Sequence, residues 1–166
     1  MIWKHLMINF LQFYMRLGKI LMQHIKNFVR ILGENMNKYF EVAKAVSKLS
    51  DFKRIKIGCV IVQGKHIIAT GQNTNKTHPM QKEYNKYRFH VDCIGNGKLH
   101  AEMMALLSLP KGIDTRKLVL YTYRENRFGE MRMSRPCPSC MAKIKELGIR
   151  KICYSTDSGL AMEELS

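Results

Sequence analysis

His100-Ala101-Glu102 and Pro136-Cys137-Pro138-Ser139-Cys140 are the two short stretches of this chain whose residue types can do chemistry together. Imidazole and thiolate are the donors zinc prefers, and three such ligands leave a fourth position for water, which separates a catalytic site from a closed structural one. Cys137 and Cys140 are three residues apart, so on the first turn of a helix they share a face, where the positive end of the helix dipole favours their thiolates. Zinc held there lowers the pKa of its water to ~7 and makes a nucleophile available at neutral pH. Glu102 lies two residues from His100 and is not needed as a ligand, which leaves its carboxylate to take a proton and pass it on. A lone C-x-x-C fits a redox pair or a zinc knuckle equally well. The companion H-A-E, whose His100 is separated from Cys137 by 36 residues (101–136) and which is also at a helix start, favours hydrolytic metal chemistry.

Two helices must therefore begin beside each other, and the rest of the chain has to bring them there. From Met36 onward helical and strand patterns alternate, as in an α/β domain. Asn37 is placed to cap a helix whose apolar face is Tyr39, Phe40, Val42, Ala43, Val46 and Leu49. Residues 57–62 and 66–70 are β-rich runs on either side of Gln63-Gly64-Lys65, which predicts a hairpin. Residues 99–109 predict the helix carrying H-A-E, stopped by Pro110, and 117–122 predict a strand. Residues 138–147 predict the second metal helix, ended by Gly148, and 150–155 the last confident strand. Consecutive strand–helix–strand passes imply parallel neighbours with right-handed crossovers, hence a three-layer α/β/α sandwich on a mixed sheet of four or five strands. Residues 156–166 are too few for another crossover, so a fifth strand would return through Asp157-Ser158-Gly159, antiparallel to the fourth. Residues 72–98 lack periodicity and read as an insertion, and an Arg-rich loop is predicted from Arg124 to Arg135. Cys59 and Cys153, inside strands, are expected to be core thiols.

With these motifs the chain resembles the zinc-dependent cytidine and deoxycytidylate deaminases, whose signature joins H-x-E to P-C-x-x-C, and the similarity in element order covers about residues 36–155. The resemblance implies a hydrolase that converts a cytosine base to uracil, with Zn2+ on His100, Cys137 and Cys140 and with Glu102 moving protons. It implies that Asn73, at the end of the second strand, contacts the sugar, and that the backbone N–H of Ala101 meets the base carbonyl. As a residue type Asn73 fits a turn as well. Arg135 precedes Pro136 where many cytidine-type members have Ser or Thr, and its guanidinium would suit a phosphate. Some deoxycytidylate deaminases carry an additional metal between the second strand and H-A-E, which makes His78, His90 and Cys93 candidates for a structural zinc. Such spaced residues are more often plain loop residues. The approach from Cys93 to His100 is similar to that in deoxycytidylate deaminases, whose last strand, however, is expected to run parallel. The fold also implies dimers or larger rings.

The 28 Lys and Arg against 13 Asp and Glu give a formal charge of +15, which favours an anionic partner such as a nucleotide or nucleic acid. Removing the five Lys/Arg and Glu34 of the first 35 residues leaves about +11. Tyr121, Tyr123, Phe128 and the arginines around them could stack bases and pair phosphates in a single-stranded DNA or RNA, grip one 5′-phosphate, or simply face water. The leading expectation is a cytosine nucleotide (dCMP- or CMP-like). The alternatives are cytosine or adenine in a single strand, and a non-catalytic, zinc-stabilised nucleic-acid-binding module. Five Cys and no small-residue cleavage site argue against a secreted disulfide framework and for a cytoplasmic protein. Residues 1–35 read as an amphipathic helical extension, with Trp3, Phe10, Phe13, Leu17, Leu21, Phe28 and Leu32 at near-helical spacing. Lys4, Arg16, Lys19, Lys26 and Arg30 interrupt it too often for a membrane span. Packing on the domain or a partner is expected rather than membrane binding, and the domain proper is expected over 36–166, beginning at Met36.

Overall fold

The computed structural model describes residues 36–88 and 97–166, together with residues 18, 21–24, 26 and 33. The chain divides into two compact units, Met1–Lys38 and Tyr39–Ser166. In the first, every described position is helical, with Leu21 and Met22 exposed. Trp3, Phe10, Phe13, Leu17, Phe28 and Leu32 lie outside the described residues. No helix among the described residues is long and apolar enough to cross a membrane.

The second unit is built on a mixed sheet. Strand β1 (Ile55–Gln63) turns through Gly64, whose φ of 60° suits a residue without a Cβ, into β2 (His66–Gln72). Strand β3 (Leu118–Asn126) folds back on a two-residue β4 (Met131–Arg132), and β5 (Lys151–Thr156) and β6 (Gly159–Glu164) close the sheet. The order across the sheet is β2-β1-β3-β5-β6, with β4 beside β3 off this path. Five strands thus cross the sheet, and β6 is antiparallel to β5, as expected of a return through Asp157-Ser158-Gly159.

Two expectations about connections need correction. Strands β3 and β5 are parallel neighbours. The pass from β2 to β3, however, steps over β1, which pairs antiparallel with both, so those two strands are not adjacent. The helix expected to start at an Asn37 cap, α1 (36–47), already includes residues 36 and 37.

Helices cover both faces, so β1 buries a continuous run, Cys59, Val60, Ile61 and Val62, instead of alternating. On one face Tyr39 and Phe40 of α1 pack their rings 5.1 and 5.5 Å from Tyr121. Here α1 rests directly on β1 at Gly58, where a Cβ would stand 2.0 Å from the Ala43 carbonyl oxygen. On the other face lie α3 (Ala101–Leu107) and α4 (Pro138–Glu146). Their Ala101, Ala105, Leu106, Met141 and Ile144 join Ile61, Leu118, Leu120 and Ile152 in one core cluster. Each large side chain buried there contributes about 1.5–3 kcal/mol.

The segment read as an aperiodic insertion contains a helix, α2 (Pro79–Tyr84), followed by a 3-10 turn over Asn85–Tyr87. His78 caps it by accepting from the Met80 N–H, and Pro79 sits where a missing N–H costs nothing. The Arg-rich loop is likewise partly strand, since Arg124 and Glu125 continue β3 opposite Ile57 and Lys56 of β1.

Candidate active site

β2 delivers the chain to the start of α3 and β3 delivers it to the start of α4, so the two motif helices begin at the same edge of the sheet. Gly71 of β2 allows α3 to lie against the strand: a Cβ there would meet the Ala101 carbonyl oxygen at 2.4 Å and the Ala105 nitrogen at 2.5 Å. His100 is the residue before α3 and Cys137 the residue before α4, and neither side chain caps its own helix. They turn toward each other instead. His100 Nδ1 lies 3.5 Å from Cys137 Sγ and 3.5 Å from Cys140 Sγ, and the three ligand atoms all lie within 4.8 Å of one another.

This spacing fits a zinc ion. With Zn–N of about 2.0–2.1 Å and Zn–S of about 2.3 Å, tetrahedral ligands stand about 3.5 Å apart. The donor set agrees, because three N/S ligands leave one position open. A third agreement is Glu102: it is only 4% exposed, and among the described residues its Oε2 is buried with no hydrogen-bond partner. A buried carboxylate oxygen without a partner is costly unless something at the site occupies it.

The electrostatics are those of a metal cradle. Cys137 is held down to about 3 by the Cys140 hydrogen bond, against burial, with His100 adding to the effect. Cys140 is pushed up by the same hydrogen bond and by burial. Burial raises Glu102 above the usual carboxylate range, and the neighbouring His100 only partly offsets this. Burial pushes His100 down, but the hydrogen bond with Cys137, together with the Glu102 and Cys137 charges, outweighs this and raises it. Cys59 and Cys153 are buried free thiols, as expected of core residues.

A cavity of about 440 Å³ opens over this cluster, with His100, Glu102 and Cys137 in its wall. Asn73, Phe52, Ile55 and Ile57 line it on one side, and Arg88, Lys98, Arg124 and Arg135 make it cationic. Asn73 is more than a turn residue. Its Oδ1 accepts from the Ile57 N–H at 2.8 Å and its Nδ2 donates to the Ile55 carbonyl at 2.9 Å, which clamps the end of β2 to β1 while the residue faces the cavity. Ala101 is fully buried between His100 and Glu102. Arg135 lines the cavity with its guanidinium in a two-point pair with Glu163 of β6, both contacts 2.7 Å. His78 uses Nδ1 to cap α2, and His90 and Cys93 lie outside the described residues.

Several site residues gave no signal in the sequence. Arg88 and Lys98 looked like ordinary basic loop residues, and nothing in their spacing set them apart, whereas Arg124 belongs to the Arg-rich loop, a candidate for phosphate pairing. Arg124 Nε is buried without a hydrogen-bond partner among the described residues. Ser134, one position before Arg135, locks the loop to the sheet: its hydroxyl donates to the Thr122 carbonyl at 2.8 Å and accepts from the Ser155 N–H at 2.9 Å. Gln81 and Asn85 of the insertion are fully buried beside Ser139.

A mixed sheet between helices, with a His/Cys/Cys cluster where two helices begin, defines a deaminase-type α/β/α sandwich. The chain belongs to the family described as the cytidine and deoxycytidylate deaminase zinc-binding region, whose model matches residues 34–156. It is 30% identical over 128 residues to a deoxycytidylate deaminase of Schizosaccharomyces pombe, a match covering 71% of this chain and 36% of that protein. It is 27% identical over 147 residues to a deoxycytidylate deaminase of Saccharomyces cerevisiae, covering 82% and 43% respectively. The chain therefore spans less than half the length of these curated relatives. Among solved structures it is similar to the apo dCMP deaminase of the cyanophage S-TIM5, with a TM-score of 0.50 and 28% identity over 73% of this chain and 82% of that one. The cytidine deaminase of Burkholderia pseudomallei shares the fold, with a TM-score of 0.53 and 19% identity over 75% and 88%.

Proposed function

We propose that this chain is a zinc-dependent hydrolytic deaminase that converts the cytosine of a nucleotide such as dCMP or CMP to uracil, with release of ammonia. The observation that carries the reading is the buried Glu102 carboxylate, whose Oε2 has no hydrogen-bond partner among the described residues, beside three ligand atoms at zinc spacing in the wall of a cationic cavity. His100, Cys137 and Cys140 would hold the ion. When bound, zinc supplies Lewis acidity that brings the pKa of water to about 7. Glu102 takes a proton from the attacking water and delivers it to the ring nitrogen as the oxygen bonds to C4. It then takes the remaining proton of that C4 hydroxyl and gives it to the amine, so that the C–N bond breaks, ammonia leaves and the uracil carbonyl forms.

Substrate placement follows from the cavity walls. Asn73 has one N–H and one lone pair left after clamping β1, enough for a sugar hydroxyl. The Ala101 N–H is proposed to meet the base carbonyl. Arg135 and Arg124 are proposed to take the phosphate, Arg124 because its Nε has no described partner and Arg135 by releasing Glu163. Residues 1–35 are proposed to be an appendage to a deaminase domain over 36–166, which is expected to assemble with copies of itself. A second reading, a single-stranded polynucleotide substrate, is favoured by Phe128, which is 71% exposed on the β3–β4 turn with Arg127 4.6 Å from its ring.

Ammonia release by the zinc-loaded protein from cytidine, dCMP, adenosine and single-stranded DNA and RNA oligomers separates these readings. Turnover of dCMP well above that of cytidine and of the oligomers is expected. Preference for an oligomer would move the assignment to the second reading, and silence across the panel with zinc bound would leave a non-catalytic module.

A further inference from the structure

The insertion helix α2 touches both metal-bearing helices through one polar side chain. Gln81 is fully buried, as are Asn85 and Ser139. Its Oε1 accepts from the His100 N–H at 3.1 Å, and its Nε2 donates to Ser139 Oγ and to Asn85 Oδ1, each at 3.0 Å. Ser139 Oγ in turn donates to Asn85 Oδ1 at 3.2 Å, closing a triangle. One contact thus lands on the backbone of the histidine ligand and the other on the residue between the two cysteine ligands.

We propose that Gln81 is a positioning residue for the metal, setting His100 on α3 against Cys137 and Cys140 on α4. This rests on the reading that the cluster holds zinc. The His100 imidazole is turned to the thiols and its backbone N–H is held by Gln81, so the amide contact fixes the backbone from which Nδ1 reaches the two sulfurs. The Ser139 contact fixes the first turn of α4, where both sulfurs originate. The anchor does not move freely: α2 is held at its start by the His78 cap and by the His78 N–H donating to the Gly97 carbonyl at 2.9 Å. Partners that orient ligands in this way typically account for 10- to 100-fold in metal affinity. A buried Gln that served only to dock α2 would have no reason to act on the metal.

The test compares wild type, Gln81→Met, which keeps the volume but removes both polar contacts, and Ser139→Ala, which removes the α4 contact and leaves α2 intact. Zinc affinity is measured by competition with a chromophoric chelator, the cobalt-substituted absorption spectrum reports ligand geometry, and thermal melting of the metal-free proteins reports folding. Gln81→Met is expected to lose roughly 10- to 100-fold in zinc affinity, with altered cobalt bands. Ser139→Ala is expected to lose less, in the same direction, and decides the matter if Gln81→Met does not fold. Wild-type affinity and spectrum in a folded Gln81→Met, or in Ser139→Ala where only that variant folds, would overturn the inference even if metal-free melting fell. If wild type itself bound no zinc, the zinc reading of the cluster would fail first and take this inference with it.

Discussion

Replacing Gly71 with alanine adds one methyl group to β2 on the face where α3 lies. The new Cβ would stand 2.4 Å from the Ala101 carbonyl oxygen and 2.5 Å from the Ala105 nitrogen, both backbone atoms that no rotamer change can remove. Ordinary contact begins near 3.4 Å, so α3 must withdraw by about 1 Å. Because His100 and Glu102 sit at its first turn, they would move with it, away from Cys137 and Cys140 on α4. Overpacking of this kind costs about 1–3 kcal/mol, roughly 2–12 °C in Tm for a domain this size. A displacement of ~1 Å at reacting groups costs on the order of 100-fold in rate. Thermal melting, zinc content and steady-state turnover of dCMP would be compared with Thr70→Ala, an exposed neighbour on the same strand. That control is expected to stay within about 0.5 kcal/mol of wild type. A Gly71→Ala protein that melted and turned over like wild type would refute the claim that close seating of α3 on β2 sets the site.

Arg124→Ala should raise KM for dCMP by roughly tenfold or more while leaving cytidine, which has no phosphate, nearly unchanged; equal effects on both would remove Arg124 from phosphate binding. Ile144→Ala, in the fully buried core under α4, should cost about 2–5 kcal/mol in denaturant unfolding, and a loss below 1 kcal/mol would mean the helix is not packed as described. Glu163 is held below the usual carboxylate range by the Arg135 guanidinium. Its stabilisation is therefore fully present above its unfolded value of 4.5 and is lost as pH falls through the lower folded value. In the metal-free protein, melting should fall more steeply with acid below pH 4.5 than in Glu163→Gln, and parallel curves would show that the pair contributes nothing.

The elements that bear the chemistry were legible because their signals are local. Pro110 and Gly148 end the two motif helices, and Gly148 does so with a φ of 74°. The final antiparallel strand was signalled by the Asp157-Ser158-Gly159 turn. What stayed hidden depends on contacts between segments distant in the chain. Helix α2 spans six residues and buries Gln81 beside Tyr84, with Met80 packed against the same cluster, so its apolar pattern is too short and too interrupted to read as a helical period. Arg124 and Glu125 read as loop because their charge argues against a strand, yet β1 pairs with them across their backbone. The step of the chain over β1 between β2 and β3 depends on which edges pair, and strand patterns carry no information about that. At the site, the candidate ligands could be picked out by spacing, whereas the Arg135–Glu163 pair and the Asn73 clamp join residues 28 and 16–18 positions apart and required the fold.

The central claim is that Glu102 moves the proton for a zinc-dependent deamination. Conversion of dCMP to dUMP, followed by the loss of cytosine absorbance and the appearance of ammonia, should be compared between wild type and Glu102→Gln after both are shown to bind one zinc. The account predicts turnover by wild type and a loss of roughly 100- to 10,000-fold in the variant with its zinc retained. Equal rates in the two proteins, or a wild type that binds zinc and leaves every cytosine substrate unchanged, would contradict it.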